Sequence, residues 1–160
     1  MSTTASDVYA RNPRALPTIL RAGLVSGALD ITAALIVYAR FGRFSVRLLQ
    51  GIASGLLGQA AFQGGLATAL LGLVCHFFIA TSAAAVYFAA SRRLPILIER
   101  ALVSGALYGV VVYFFMQLVV IPLSAIGPRP FSLRATIIGI VIHIFCVGLP
   151  IALIVRRYSR

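Results

Sequence analysis

The chain has 160 residues, of which 61% are hydrophobic and only 11% are charged, and its mean hydropathy is +1.02. A typical soluble domain has about 25% charged residues, so this composition excludes most soluble classes and indicates a protein whose solvent is lipid. The net charge of +11 comes from 14 arginines against three acidic residues, with no lysine. Because the arginines form short clusters between apolar runs, they are typical of membrane proteins and do not indicate a nucleic-acid-binding face.

Four apolar segments are long enough to cross the hydrocarbon core of a bilayer, which takes about 20 helical residues. Backbone polar groups in lipid must pair within the chain, so segments of this length are expected to be helices. The length allows a single membrane domain over residues 1–160, and we predict an all-α bundle of four transmembrane helices. The predicted spans cover residues 19–39, 66–91, 96–126 and 133–155, with Pro122 breaking the far end of the third.

The arginines also predict the orientation of the spans. Nine lie in the N-terminal segment, the loop after the second span and the C-terminal tail, whereas five lie on the other side. Short loops rich in arginine stay in the cytoplasm, so both termini are expected to be cytoplasmic. Residues 1–18 then form a cytoplasmic tail, and no cleavable signal peptide is expected, because this segment is polar and Asp30 interrupts the following apolar run.

Residues 44–63 differ in character from the four spans. Apolar side chains recur there every four positions, at Phe44, Leu48, Ile52 and Leu56. Arginine, glutamine and serine supply polar positions between them, which favours a helix lying in the membrane interface on the outer side. Several glycines in the same stretch also allow a re-entrant dip into the bilayer.

The sequence contains an internal repeat. LVSGAL occurs at residues 24–29 and again at 102–107, and LLGLVCHFF at 70–78 matches IIGIVIHIF at 137–145. The pattern predicts two related helical hairpins in tandem. Because each hairpin crosses the membrane twice, the two copies have the same orientation, with a pseudo-two-fold axis along the membrane normal.

Polar residues near the middle of the four predicted helices are the best functional pointer. They are Asp30, His76, Tyr113, Gln117 and His143. Ionisable groups at this depth are costly and usually face the bundle interior, so these side chains are expected to form a midplane cluster. The simplest role for such a cluster is structural, because hydrogen bonds between membrane helices contribute about 0.6–2 kcal/mol each.

Small residues in the same helices predict where helices approach closely. The candidate packing glycines are Gly23, Gly27, Gly72, Gly105, Gly109 and Gly139. Gly72 and Gly139 each precede a histidine by four residues, which would leave room beside the imidazole ring.

Two hypotheses would give the polar cluster a chemistry. In the first, His76 and His143 ligate a b-type haem from diagonal helices, an arrangement similar to the four-helix core of the di-haem cytochrome b family. In the second, Asp30 and the two histidines form a proton or cation path in an oligomer.

Motifs of soluble enzymes are missing, so the sequence favours a non-enzymatic membrane component. We expect it to be a homo-oligomer or a subunit of a larger membrane complex. Its basic loops are expected to attract anionic lipids of the bilayer.

Five short motifs carry a family resemblance. They are GALD at 27–30, QGIASGLLG at 50–58, FQGG at 62–65, VVIPLSA at 119–125 and HIFCVGLPIAL at 143–153. With these motifs the chain resembles a widespread family of small four-span proteins of the bacterial inner membrane, and the likeness covers nearly all of the chain from the first span onward. The resemblance implies the fold and the compartment, and it implies no activity and no catalytic residues.

Overall fold

The structure is a computed structural model that describes residues 14–40, 45–128 and 130–158, and every regular element within these ranges is a helix. Residues 1–13, which make up most of the predicted cytoplasmic tail, lie outside the described residues. The same holds for Phe44, the first member of the predicted apolar stripe.

Four helices are long and apolar enough to cross a membrane, which confirms the predicted all-α membrane bundle. In chain order the helices are α1 (Ala15–Arg40), α2 (Ser45–Leu57), α3 (Gly65–Ser91), α4 (Ile96–Glu99), α5 (Ala101–Leu123) and α6 (Leu133–Tyr158), and the candidate spans are α1, α3, α5 and α6. The third span is shorter than expected. The backbone of Arg100 is not helical and separates α4 from α5, and α5 ends one residue after Pro122.

The four long helices form a bundle in which α3, α1, α6 and α5 follow one another around the perimeter. Helix α1 packs against α3 and α6, and α5 packs against α6. The ring is closed between α3 and α5 by Tyr87 and Tyr108, whose ring centroids lie 4.9 Å apart. The outward faces are apolar, as lipid requires, and Leu70 and Leu107 are each 62% exposed.

The buried core lies at the arginine-rich end of the bundle, where all four long helices contribute. Its residues are Ala15, Ile19, Ala22, Ala84, Tyr87, Phe88, Ala101, Val147, Ile151, Ala152 and Val155. Five of these eleven residues are alanine, so the helix backbones come close together at this end.

Helices α1 and α3 approach each other through glycine. A Cβ atom added at Gly23 would lie 2.6 Å from the backbone of Thr81, and one added at Gly27 would lie 2.8 Å from the ring of Phe77. Any larger side chain at these positions would push the two helices apart.

Helices α5 and α6 also approach each other through glycine, and their backbones lie closer together than those of α1 and α3. A Cβ at Gly109 would lie 2.5 Å from the carbonyl oxygen of His143 and 2.7 Å from the Cα of Ile144. A Cβ at Gly148 would overlap the carbonyl oxygen of Gly105. The contact between these helices is therefore backbone against backbone over more than one turn.

Two wide turns of π-helix interrupt the spans, and each precedes a proline. Met116–Val120 comes before Pro122 in α5, and His143–Gly148 comes before Pro150 in α6. Proline has no N–H, and its ring crowds the carbonyl one turn earlier, so a locally widened helix accommodates it. The widened turn in α6 begins at one of the two histidines.

Helix α2 lies along the first part of α3. The carbonyl of Leu49 contacts Gly72, which is seven residues, or about 10 Å, beyond the start of α3. The side-chain Nε2 of Gln50 donates a hydrogen bond of 3.0 Å to the carbonyl of Gly65. Gln50 is 4% exposed and Ser54 is 6% exposed, whereas Leu56 is 67% exposed, so this helix turns these two polar side chains toward the protein and Leu56 outward.

A short 3₁₀ helix (Gly58–Gln63) connects α2 to α3, and glycines make the turns at both of its ends. Gly58 and Gly65 both have a φ of +58°, a backbone conformation that residues with a Cβ atom rarely adopt.

Replacing Gly148 by alanine is expected to destabilise the protein, because the added methyl group overlaps the Gly105 carbonyl. Overpacking of this kind costs about 1–3 kcal/mol, so thermal unfolding in detergent micelles should occur at a lower temperature. Gly51→Ala is the matched control, because nothing lies within 4 Å of its added Cβ. Equal stability of the two variants would contradict the backbone contact between α5 and α6.

Candidate functional site

His76 lies on α3 and is directed at α1. Its Nε2 atom lies 2.9 Å from the carbonyl oxygen of Gly27. A carbonyl oxygen only accepts hydrogen bonds, so Nε2 carries the proton and donates. Phe77 packs edge-on against the imidazole ring at 5.5 Å between centroids. His76 therefore joins the two helices of the first hairpin.

His143 lies at the start of the wide turn in α6. Its hydrogen bond is formed by Nδ1, whereas that of His76 is formed by Nε2. Its Nδ1 atom lies 2.9 Å from the carbonyl oxygen of Gly139 in the same helix, so Nδ1 carries the proton. Its ring packs edge-on against Tyr113 of α5 at 5.4 Å between centroids. The ring of Tyr113 also fills the space beside Gly139 and is 6% exposed.

The two histidines consequently lie in different helix interfaces. His76 contacts α1 and His143 contacts α5, although α3 and α6 occupy diagonal corners of the bundle. No hydrogen bond or ion pair within the described residues joins Asp30 to either imidazole. The five polar residues therefore do not form one connected cluster in the described part of the chain, where the only contact among them that joins two rings is Tyr113 against His143.

This arrangement does not fit bis-histidine ligation of a haem. Such a site needs the same iron to be reached by both imidazoles with their free nitrogens. The Nε2 atom of His76 is occupied by the carbonyl of Gly27. The space beside Gly72 is filled by the backbone of Leu49, as the ring of Tyr113 fills that beside Gly139. The glycines that precede the histidines are used for packing.

Asp30 differs from the histidines because it has no hydrogen-bond partner in the described part of the chain. It lies half-buried on α1, next to the buried stripe that includes Gly27 and Ile31. An unpaired ionised group at this depth costs several kcal/mol.

Gln117 on α5 is the other polar side chain without a hydrogen bond among the described residues. It is half-buried and lies in the wide turn Met116–Val120. A primary amide offers two donors and an acceptor, and lipid satisfies none of them.

The cysteines do not extend the site. Cys75 and Cys146 are both free thiols. Across residues 14–40, 45–128 and 130–158, no group of three or more histidine, cysteine or acidic residues is placed to hold a metal ion.

Sequence reasoning missed a pair of tyrosines that joins α3 to its neighbours. The Tyr87 hydroxyl donates to the carbonyl of Leu97 at 2.9 Å, and the Tyr108 hydroxyl donates to the carbonyl of Ala83 at 2.7 Å. The available signal was the presence of tyrosine inside apolar spans, because a buried phenol needs a hydrogen-bond acceptor.

Comparison of the chain with protein-family models, with curated proteins and with solved structures found no match in any of the three. The resemblance noted from the sequence motifs therefore stays a prediction, and the site is interpreted from its own geometry.

The His76 bond predicts a measurable stability difference. His76→Phe removes the donor to the Gly27 carbonyl, and an interhelical hydrogen bond in a membrane is worth about 0.6–2 kcal/mol, so unfolding in detergent should require less heat. Ser82→Ala is the control on the same helix, because the Ser82 hydroxyl is exposed and bonds only to its own helix at Phe78. A purified protein with a haem Soret band that both His76→Ala and His143→Ala abolish would contradict this structural role.

Proposed function

We propose that the protein is a small, non-enzymatic component of the bacterial inner membrane that assembles with copies of itself. The observation that carries this proposal is that some polar side chains inside the spans have a hydrogen-bond partner within the chain and others do not. His76 and His143 each donate one ring N–H to a backbone carbonyl inside the chain, whereas Asp30 and Gln117 have no hydrogen-bond partner in the described residues.

The two unsatisfied groups are chemically complementary. An aspartate carboxylate only accepts hydrogen bonds, and the amide nitrogen of Gln117 donates them. Both groups lie past the midpoint of a membrane span. Asp30 is 15 residues from the start of α1 and Gln117 is 16 residues from the start of α5, or about 22–24 Å along each helix.

Within one chain these groups are on opposite sides, because α1 and α5 occupy diagonal corners of the bundle. Between two chains they can meet, with Asp30 of one copy accepting from Gln117 of the next. A contact between two different faces is heterologous, and repeated contacts of this kind close into a ring when the rotation allows it. The assembly would bury both groups away from lipid.

A proton or cation path is the competing role for Asp30. It would need a connected series of titratable groups, and the imidazoles of His76 and His143 are hydrogen-bonded in separate interfaces. Proton flux through proteoliposomes separates the two roles. The assembly role predicts no flux above that of empty vesicles, whereas a path predicts flux that Asp30→Asn abolishes.

Substitution of either polar group should weaken self-association. We expect Asp30→Leu and Gln117→Leu each to raise the dissociation constant of the oligomer about 3- to 30-fold, which corresponds to a membrane hydrogen bond of about 0.6–2 kcal/mol. Sedimentation in density-matched detergent measures the change. Thr32→Val is the control, because Thr32 is exposed on α1 and bonds only to the carbonyl of Ala28.

The double variant makes this test specific. If Asp30 and Gln117 contact each other between copies, Asp30→Leu combined with Gln117→Leu should weaken association no more than either change alone. Additive effects would overturn the direct contact. A monomeric wild-type protein would overturn self-assembly and leave a different subunit to supply the partner of Asp30.

We also propose that the two hairpins are related copies, which the packing contacts support. The histidines at 76 and 143 are 67 residues apart, and the same offset relates Thr81 to Gly148, which pack on the first glycine of each Gly-x-x-x-Gly pair. The glycine pairs themselves, beginning at Gly23 and Gly105, are related by 82 residues, whereas the LVSGAL copies are related by 78. In the second hairpin, α5 would therefore be shifted along α6 by about one helical turn, compared with the position of α1 on α3 in the first hairpin.

The proposed orientation can be tested with reporter fusions. Both ends of the chain should be cytoplasmic, so green fluorescent protein fused after Arg160 should fluoresce in a bacterial host, and alkaline phosphatase at the same position should be inactive. Fusions truncated after Gly127, between α5 and α6, should give the opposite pattern. A fluorescent fusion at Gly127 would contradict the orientation.

A further inference from the structure

The arginine-rich end of the bundle holds two cations around one aromatic ring. The guanidinium carbon of Arg21 lies 4.8 Å from the centroid of the Tyr158 ring, and that of Arg157 lies 6.0 Å from the same centroid. Tyr158 therefore holds a cation of α1 beside a cation of α6. Both arginine side chains are exposed at the surface.

No carboxylate of the described residues neutralises this pair. Asp30 and Glu99 are the two acidic residues in those ranges, and neither forms an ion pair with an arginine there. Two guanidinium groups that contact the same ring lie within about 11 Å of each other, so their charges repel, and an anion bound near them would lower that repulsion. Guanidinium binds phosphate oxygens through paired N–H donors, so phosphate suits the position well.

Apolar side chains lie one turn deeper in the membrane on both helices. Leu24 follows Arg21 on α1 and is 53% exposed, and Leu153 precedes Arg157 on α6 and is 43% exposed. A ligand at this position therefore meets cations at the end of the helices and an apolar surface below them. That is the polarity of a phospholipid, with its headgroup at the membrane surface and its acyl chains inside.

We propose that Arg21, Tyr158 and Arg157 form a binding site for the headgroup phosphate of an anionic lipid, whose acyl chains lie against Leu24 and Leu153. Tyrosine side chains concentrate at this level of membranes, where the phenol reaches headgroups and the ring stays apolar. The site differs from general attraction to a charged surface, because it requires one particular pair of arginines. It goes beyond the proposed assembly role and does not depend on Asp30.

Native mass spectrometry of the purified full-length chain tests the site. Phosphatidylglycerol and phosphatidylcholine with identical acyl chains are titrated separately, and the binding constants are compared for the wild type, R21Q/R157Q and R92Q/R93Q. Arg92 and Arg93 form the matched control, because they are an exposed pair at the same end of the bundle. Each arginine near an anionic surface is worth about a fivefold change in affinity, so R21Q/R157Q should bind phosphatidylglycerol about 30-fold more weakly.

The control pair should retain most of the wild-type affinity, and phosphatidylcholine should bind weakly to all three proteins. Inorganic phosphate at millimolar concentration should not displace the lipid, since it lacks the acyl chains. Equal losses in the two double variants would show diffuse attraction and overturn the site. Displacement by inorganic phosphate would overturn the lipid assignment. If R21Q/R157Q does not fold, R21K/R157K keeps the charge, and unchanged affinity in it would contradict the need for guanidinium.

Discussion

The structure depends on one constraint, which is that the interior of a bilayer offers no water to satisfy a polar group. Helices satisfy their own backbones, so the constraint falls on the side chains. The imidazoles of His76 and His143 donate to backbone carbonyls, as do the hydroxyls of Tyr87 and Tyr108. Three of these four bonds reach a different segment of the chain. The carbonyls of the bundle therefore serve as the main acceptors at depth and help to join its helices.

The same constraint explains why the fold was predictable from the sequence. Long apolar segments in lipid can only be helices, so hydropathy located all four spans within a few residues. The exception was the third span, which loses its expected beginning to the non-helical backbone at Arg100. Glycine spacing predicted close helix approach, because only a missing Cβ permits it, and the glycines at 23, 27, 105 and 109 do lie against neighbouring backbones or rings.

The site was less predictable, because depth along a helix says nothing about rotation or hydrogen-bond direction. His76 and His143 occupy matching positions in the sequence and yet face different helices with different nitrogens engaged. Two local features caused this difference. The wide turn before Pro150 changes the helix geometry from His143 onward, and the ring of Tyr113 occupies the space beside Gly139. Neither feature has a periodic signal, and the inward-facing Gln50 of α2 has none either.

The central claim is that each histidine donates one N–H to a backbone carbonyl of the chain, and that the two residues use opposite nitrogens. Solid-state nitrogen NMR of the protein in bilayers, with labelled histidine, tests it most directly, because the chain has only two histidines. We expect Nε2 of His76 and Nδ1 of His143 each to carry a proton that is hydrogen-bonded to a carbonyl oxygen. A nitrogen spectrum in which either of these two atoms carries no proton would contradict the claim.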